Sequence, residues 1–258
     1  MRVPDLSLLL PLCGAAFVAG VVDAIAGGGG LVTVPALLLA GLPPDLALGT
    51  NKGQAVFGAA TALWRFWRWG RIDRARLVGP FVLGFTGALA GAALLLVVPN
   101  RLLRPVVLVL LVAVAAFLAL RRDFGSTAPA VEPIPPTPRA RRTAAGLAWV
   151  IGAYDGFFGP GTGTFLILAS VRWLGDSLAA ASAHAKVVNF ASNLAAVLWF
   201  GAQGLVVWPI ALPMAVAQAS GAALGSRLVV RGGNRLVRGV VLAVVAALCA
   251  KLAWELVR

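Results

Sequence analysis

One stretch occurs twice in this sequence and sets what the rest can do. The first copy reads Asp23-Ala-Ile-Ala-Gly27-Gly28-Gly29-Gly30-Leu-Val-Thr33-Val-Pro35, and the second reads Asp155-Gly-Phe-Phe-Gly159-Pro160-Gly161-Thr162-Gly163-Thr164. Each places an acidic residue near the end of an apolar run, follows it with a glycine-rich break, and resumes with a short apolar run. A run of glycines is a poor continuation of a helix, because each loses more backbone freedom than alanine. In a bilayer such a break frees N–H and C=O groups, which are tolerated only where protein buries them or a cavity hydrates them. Paired breaks in matching positions of two halves point to a transporter site near the midplane.

The membrane setting follows from composition. The chain is 60% hydrophobic and 12% charged, with a mean hydropathy of +0.92. Several runs reach the roughly 20 residues that span a bilayer. The formal charge of +13 reads as arginines flanking membrane spans; no basic domain stands outside the spans, so nucleic acid is not an expected partner. Cys13 and Cys249 lie in apolar runs and imply no disulfide framework. One histidine and no Cys/His cluster give no metal spacing, and no cofactor is expected. Leu6–Ala26 leads straight into the first break and is read as a mature span, not a signal peptide.

In order, Leu31–Gly41 is a short run closed by Leu42-Pro43-Pro44-Asp45. As a helix it covers about half a bilayer, so it forms a hairpin with the run before it, re-entrant or fully spanning. Leu46–Phe66, Leu77–Val98 and Leu102–Leu120 are spans. Residues 121–142 are a Pro/Arg-rich linker, read as cytoplasmic. The second half follows with Thr143–Phe158, the short run Phe165–Leu174, then Leu178–Phe200, Val206–Val230 and Leu236–Trp254. Trp64, Trp67, Trp69, Trp199, Trp208 and Trp254 lie near span ends and read as interface anchors.

The halves repeat. Asp23 and Asp155 are 132 residues apart; Lys52 and Lys186, Gly70 and Gly204, Gly87 and Gly221, Gly91 and Gly225, and Arg104 and Arg238 are all 134 apart. A constant offset over this distance outweighs any single motif. The stretch that closes the Leu46–Phe66 span and follows it carries Arg65, Arg68, Arg71, Arg74 and Arg76, while its counterpart at 201–207 has no arginine. The loop around Asn100 has two arginines and its counterpart four, Arg227, Arg231, Arg235 and Arg238. The arginine-rich loops share the cytoplasm only if the halves run in opposite senses. The expected fold is therefore all-α and polytopic: one transmembrane domain over 1–258, built from inverted repeats at 1–120 and 143–258. Each repeat has a Gly-broken helical hairpin and three transmembrane helices, and both termini lie outside.

The first-half motif, continued by Gly41-Leu-Pro-Pro-Asp-Leu-Ala-Leu-Gly49-Thr50-Asn51-Lys52, resembles the sulfite exporter TauE/SafE family of membrane transporters. The resemblance covers nearly the whole chain. The second half is looser, with Ala183-His184-Ala185-Lys186 where the first has Gly-Thr-Asn-Lys. The resemblance implies a bacterial inner-membrane permease for sulfur-containing anions such as sulfite or organosulfonates.

The residues themselves suggest how an anion is held. Helices starting after the breaks present free N–H groups and a positive dipole end. Gly27, Gly28, Gly29, Gly30, Gly159 and Gly161 let an anion approach the backbone, with Thr33, Thr162 and Thr164 as hydroxyl donors; the alternative is that the glycines only permit tight helix crossing. Lys52 and Lys186 sit inside apolar spans, where a charge is costly; each either faces an anionic substrate or pairs with a scaffold aspartate. Asn51, Gln54, Asn189 and Asn193 line the same cavity or bridge helices. Asp23, Asp155 and His184 are residues of proton coupling or of structural pairing.

The function so indicated is a secondary transporter of small anions, an exporter by resemblance, working by alternating access. A passive anion channel and a structural membrane subunit are the alternatives. An enzyme is not expected: His184 is the only imidazole and no Ser/His/Asp order is evident. There is no phosphate-binding loop, so energy comes from gradients, with proton coupling one form. Small-residue helix faces are compatible with a homodimer.

Overall fold

A computed structural model describes residues 6–74, 77–120 and 138–231. Among them the chain is almost entirely helical, with no strand. The first half holds α1 (Leu6–Ala26), α2 (Gly30–Leu39), α3 (Pro44–Arg68), α4 (Val78–Val97) and α5 (Asn100–Leu120). The second holds α6 (Pro138–Phe157), α7 (Thr162–Ala169), α8 (Leu178–Ala202) and α9, residues 208–231. The polytopic membrane architecture read from the sequence is therefore the observed one. α1, α4 and α8 are each long and apolar enough to cross a membrane. α3 matches α8 in length, at 25 residues, but carries the cluster Thr50, Asn51, Lys52 and Gln54, all buried.

Local chemistry explains the boundaries. Pro44 starts α3 at a position where a proline's missing N–H is no loss. Ser177 caps α8, its hydroxyl accepting from the Ala180 N–H at 3.3 Å. Left-handed glycines stop the chain at Gly27 and Gly159, Gly41 and Gly175, and Gly70 and Gly204. The members of each pair are 132 or 134 residues apart, the same offsets as the paired aspartates and lysines. Most boundaries shift by only one to three residues. α7 starts at Thr162, before the expected Phe165, and reaches the expected Leu174 through a π-helical turn, Ser170–Leu174. α6 begins at Pro138, five residues before the expected Thr143, because proline suits a first helical position and the following Arg-Ala-Arg-Arg favours helix. Residues 121–137 of the linker and the expected span Leu236–Trp254 lie outside the described residues.

The two halves grip each other through glycine. A methyl group built on Gly87 or Gly91 of α4 would overlap the carbonyls of Trp149 and Ala153 in α6. On the other side, Gly221 and Gly225 of α9 meet the carbonyls of Phe17 and Val21 in α1. These are equivalent contacts, each joining one half to the other. Such close backbone approach is how helices associate where lipid removes most of the hydrophobic drive. Large apolar side chains cover the outside, among them Leu10, Val82, Val97, Val109 and Val216. Four of the expected interface tryptophans, Trp64, Trp67, Trp69 and Trp208, are exposed, whereas Trp199 packs on the core. Arg65 stacks over Trp69 at 5.5 Å and Arg68 over Trp64 at 5.3 Å, which marks the end of α3 as an interfacial belt.

Gly91→Ala is expected to lower stability in detergent micelles by about 1–3 kcal/mol through overpacking. Gly79→Ala in the same helix, where a methyl meets nothing within 4 Å, should be neutral or stabilising. Equal effects of the two substitutions would refute the close-packing account.

Candidate functional site

The two breaks touch. A methyl on Gly27 would overlap Gly163, and one on Gly163 would overlap Gly27. Around this crossing the unpaired carbonyls of the broken helix find partners. The last four C=O groups of α1 are those of Asp23, Ala24, Ile25 and Ala26; that of Asp23 accepts from the Gly27 N–H at 2.9 Å. Lys186 Nζ donates to the Asp23 carbonyl. The Ser182 hydroxyl lies 3.0 Å from the Ala24 carbonyl and 2.9 Å from that of Ile25. Thr164 Oγ1 donates to the Ala26 carbonyl at 2.8 Å. These side-chain donors all come from the second half, so α7 and α8 cap the end of α1.

Two ion pairs cross between the halves. Lys52 Nζ of α3 lies 2.8 Å from Asp155 Oδ1 of α6, and Lys186 Nζ of α8 lies 2.8 Å from Asp23 Oδ2 of α1. Both lysines are almost wholly buried, at 2% and 0% relative exposure. An unpaired charge there would be costly, so each pair holds its helices together. Gly159 permits one of them: a methyl at that position would lie 2.7 Å from Lys52 Nζ.

The pairs are related by the repeat, but their surroundings are not. Asp155 accepts from four donors: Lys52, Thr162 Oγ1 at 2.8 Å, Ser192 Oγ, and Asn193 Nδ2 at 3.4 Å. Asp23 accepts at its carboxylate from Lys186 alone among the described residues. The sequence offsets place Gly30, Gly58 and Ala59 where Asp155 has Thr162, Ser192 and Asn193.

A cavity of about 20 Å³ opens beside the breaks. It is lined by Asp23, Gly27, Gly30, Asn51, Lys52, Ala55, Asp155, Gly159, Asn189, Asn193 and Gln218. Asn51 Oδ1 accepts from Thr33 Oγ1 at 2.6 Å and Gln54 Nε2 at 3.0 Å, which leaves its amide N–H groups for the cavity. Asn189 is fixed the same way, its Oδ1 accepting from Asn193 Nδ2 at 2.7 Å. The cavity thus offers neutral donors beside a set of two lysines and two aspartates whose charges cancel.

Of the residues singled out in the sequence, Gly27, Gly30, Asn51, Lys52, Gly159, Asn189, Asn193, Asp23 and Asp155 meet at this cavity. Gly28, Gly29, Gln54, Gly161, Lys186 and the three threonines are not among its lining residues. The threonine hydroxyls have intramolecular partners: Thr33 on Asn51, Thr162 on Asp155, Thr164 on Ala26. Gly161 packs near Val114 of α5. His184 is elsewhere: its Nε2 accepts from the Asp73 N–H at 3.2 Å and its Nδ1 is 3.4 Å from Asp176, so it ties the start of α8 to the loop after α3. Gln218 was not anticipated. It is 2% exposed, and its Oε1 has no hydrogen-bond partner among the described residues. The available signal was its being the one amide in the run from Val206 to Val230.

A helical membrane protein with broken helices meeting at a buried polar cavity belongs, by architecture, among membrane transporters. The family comparison makes this specific. The sulfite exporter TauE/SafE family model matches residues 12–252, and the chain belongs to that family. It is 37% identical to a probable membrane transporter protein, ORF9, of a Sinorhizobium species, covering 95% of this chain and 92% of that protein. It is also 37% identical to the probable membrane transporter protein YfcA of Escherichia coli strain K12, covering 96% and 90%. A probable membrane transporter protein of Haemophilus influenzae is 35% identical, covering 97% and 96%. No solved structure is significantly similar. The protein is a multi-pass membrane transporter of the TauE/SafE type.

The unequal surroundings of the two aspartates should be measurable. Asp155→Asn is expected to cost about 3–5 kcal/mol of stability, the range for breaking a buried pair, and Asp23→Asn distinctly less. Combining Lys52→Met with Asp155→Asn should cost less than the sum of the two. Unfolding in micelles reads all four proteins, and additive losses would contradict the pairing.

Proposed function

We propose that the protein is a secondary transporter of small anions, sulfite or organosulfonates by class, which exports them across the bacterial inner membrane by alternating access. The observation that carries this is the cavity where the two breaks meet, lined by Lys52 and by the amides of Asn51, Asn189 and Gln218. Amide and ammonium N–H groups suit oxyanions, and contributions from both halves suit a site around which the halves rock. In this reading the halves are inverted repeats, in keeping with the arginine distribution between matching loops. At about 20 Å³ the cavity has room for about one water, so an anion enters only when the halves part. The substrate class follows the family description of sulfite export.

Reconstituted vesicles loaded with sulfite, sulfoacetate or methanesulfonate test this. Efflux is expected to saturate with concentration. Asn189→Ala should raise KM about tenfold, the equivalent of ~1.4 kcal/mol, and Lys52→Ala should abolish transport. Flux linear in concentration would indicate a channel instead. Absence of flux for all three anions would overturn the substrate class.

A further inference from the structure

The two crossed ion pairs occupy equivalent places in the repeat, yet only one is built to be permanent. Asp155 has both oxygens engaged: Oδ1 by Lys52 and Thr162, Oδ2 by Ser192 and Asn193. Its side chain is 3% exposed. Protonating it would break a buried network of charged and hydroxyl donors, a large cost. Asp23 has one oxygen on Lys186 and the other without a donor among the described residues. Its side chain is 13% exposed and lines the cavity. Gly30, Gly58 and Ala59 remove, on this side of the repeat, the three neutral donors that fix its counterpart.

We propose that Asp23 is the proton-carrying residue of the site and that a monoanion occupies the cavity together with one proton, making its translocation electroneutral. The inference rests on the anion-transporter reading above.

The charge balance argues for it. Lys52, Asp155, Lys186 and Asp23 sum to zero, so an arriving anion would be an uncompensated charge in a membrane interior, where charge is expensive. A proton on Asp23 leaves the Lys186 ammonium without its counter-ion. The set then carries one positive charge beside the cavity, which the anion neutralises. Asp23 lines the cavity and Lys186 does not, so this carboxyl is the group interposed between that ammonium and the ligand. The coupling is reciprocal: the anion favours the protonated carboxyl, and the protonated carboxyl favours the anion. Other groups facing Asp23 do not supply the proton. Lys52 of α3 and Asp155 of α6 share the cavity but are paired to each other. α2 and α7 contribute only Thr33, Thr162 and Thr164 as polar groups. The described part of α9 contributes Gln218, while its Arg227 and Arg231 are exposed.

The test is calorimetric titration of the purified full-length protein with methanesulfonate, an anion that stays ionised throughout. Buffers of different ionisation enthalpy reveal the protons exchanged. The wild type should take up one proton per anion, and affinity should fall about tenfold per pH unit on the alkaline side. Asp23→Asn, a fixed mimic of the protonated carboxyl, should bind with no proton uptake and no pH dependence. Asp23→Glu should retain uptake, and so should Asp155→Asn where it folds. Binding by the wild type without proton uptake, or uptake that survives in Asp23→Asn, would overturn the proposal. The wild-type stoichiometry needs no variant. If methanesulfonate binds at no pH, the anion reading fails in itself, and infrared spectroscopy then judges Asp23 separately. A protonated-carboxyl band that appears on acidification and is lost in Asp23→Asn upholds the assignment of the titrating residue; a band lost in Asp155→Asn instead overturns it.

Discussion

A helix that stops inside a membrane must have its last carbonyls satisfied by protein or by a hydrated cavity, and the rest of this structure answers to that demand. Beside the Gly27 N–H on Asp23, the end carbonyls of α1 are met by Lys186, Ser182 and Thr164. All three belong to the other half of the chain. The glycine-rich break therefore does more than bend the backbone. It makes the first half incomplete without the second, and it draws a buried lysine to the place where the breaks cross. Once there, the lysine needs a counter-ion, and Asp23 stands where the break begins. At the second break Lys52 is held, among the described residues, by the Asp155 carboxylate alone, while the carbonyls of Gly159 and Pro160 are met from within the second half, by Thr162 and Tyr154.

Residues that recur at the sequence offsets supply the frame, and residues that do not recur distinguish the two sides of the site. Turn glycines, interlocking helix pairs and crossed ion pairs recur at constant offsets. The neutral polar residues do not recur. Asn51 matches Ala185, Asn189 matches Ala55, Gln218 matches Gly84, and the donors around Asp155 match two glycines and an alanine. A site serving one small ligand has no use for two identical half-sites. The matched Asp23, Asp155, Gly27, Gly159 and Lys52 form the common part of the cavity wall, and the unmatched Asn51, Asn189, Asn193 and Gln218 make its two sides differ.

Much of this was legible in the sequence because it is carried by residue types with few alternative uses. Paired glycine breaks, intramembrane lysines and a constant offset are unusual enough to be read without a structure, and they located most of the cavity. The partners of the lysines were not legible. Spacing shows that Lys52 and Asp23 repeat as Lys186 and Asp155, but not that each lysine bonds the aspartate of the other half, because that depends on how the halves dock. The threonines show the same limit. Their hydroxyls suit an anion chemically, yet the broken backbone and Asp155 claim them first. Gln218 escaped notice because a single amide in an apolar helix is uninformative until its neighbours are known. The start of α6 at Pro138 is not legible in the sequence, because a proline-rich stretch reads as linker even when its last proline opens a helix.

The central claim is that this cavity lies on the route between the two sides of the membrane. The most direct measurement uses Ala55→Cys, a cavity-lining position, in a variant lacking Cys13 and Cys249 and reconstituted in sealed vesicles. A membrane-impermeant thiol reagent should modify it from either side, and methanesulfonate should slow both reactions. Modification from one side only, or at a rate indifferent to the anion, would contradict the account.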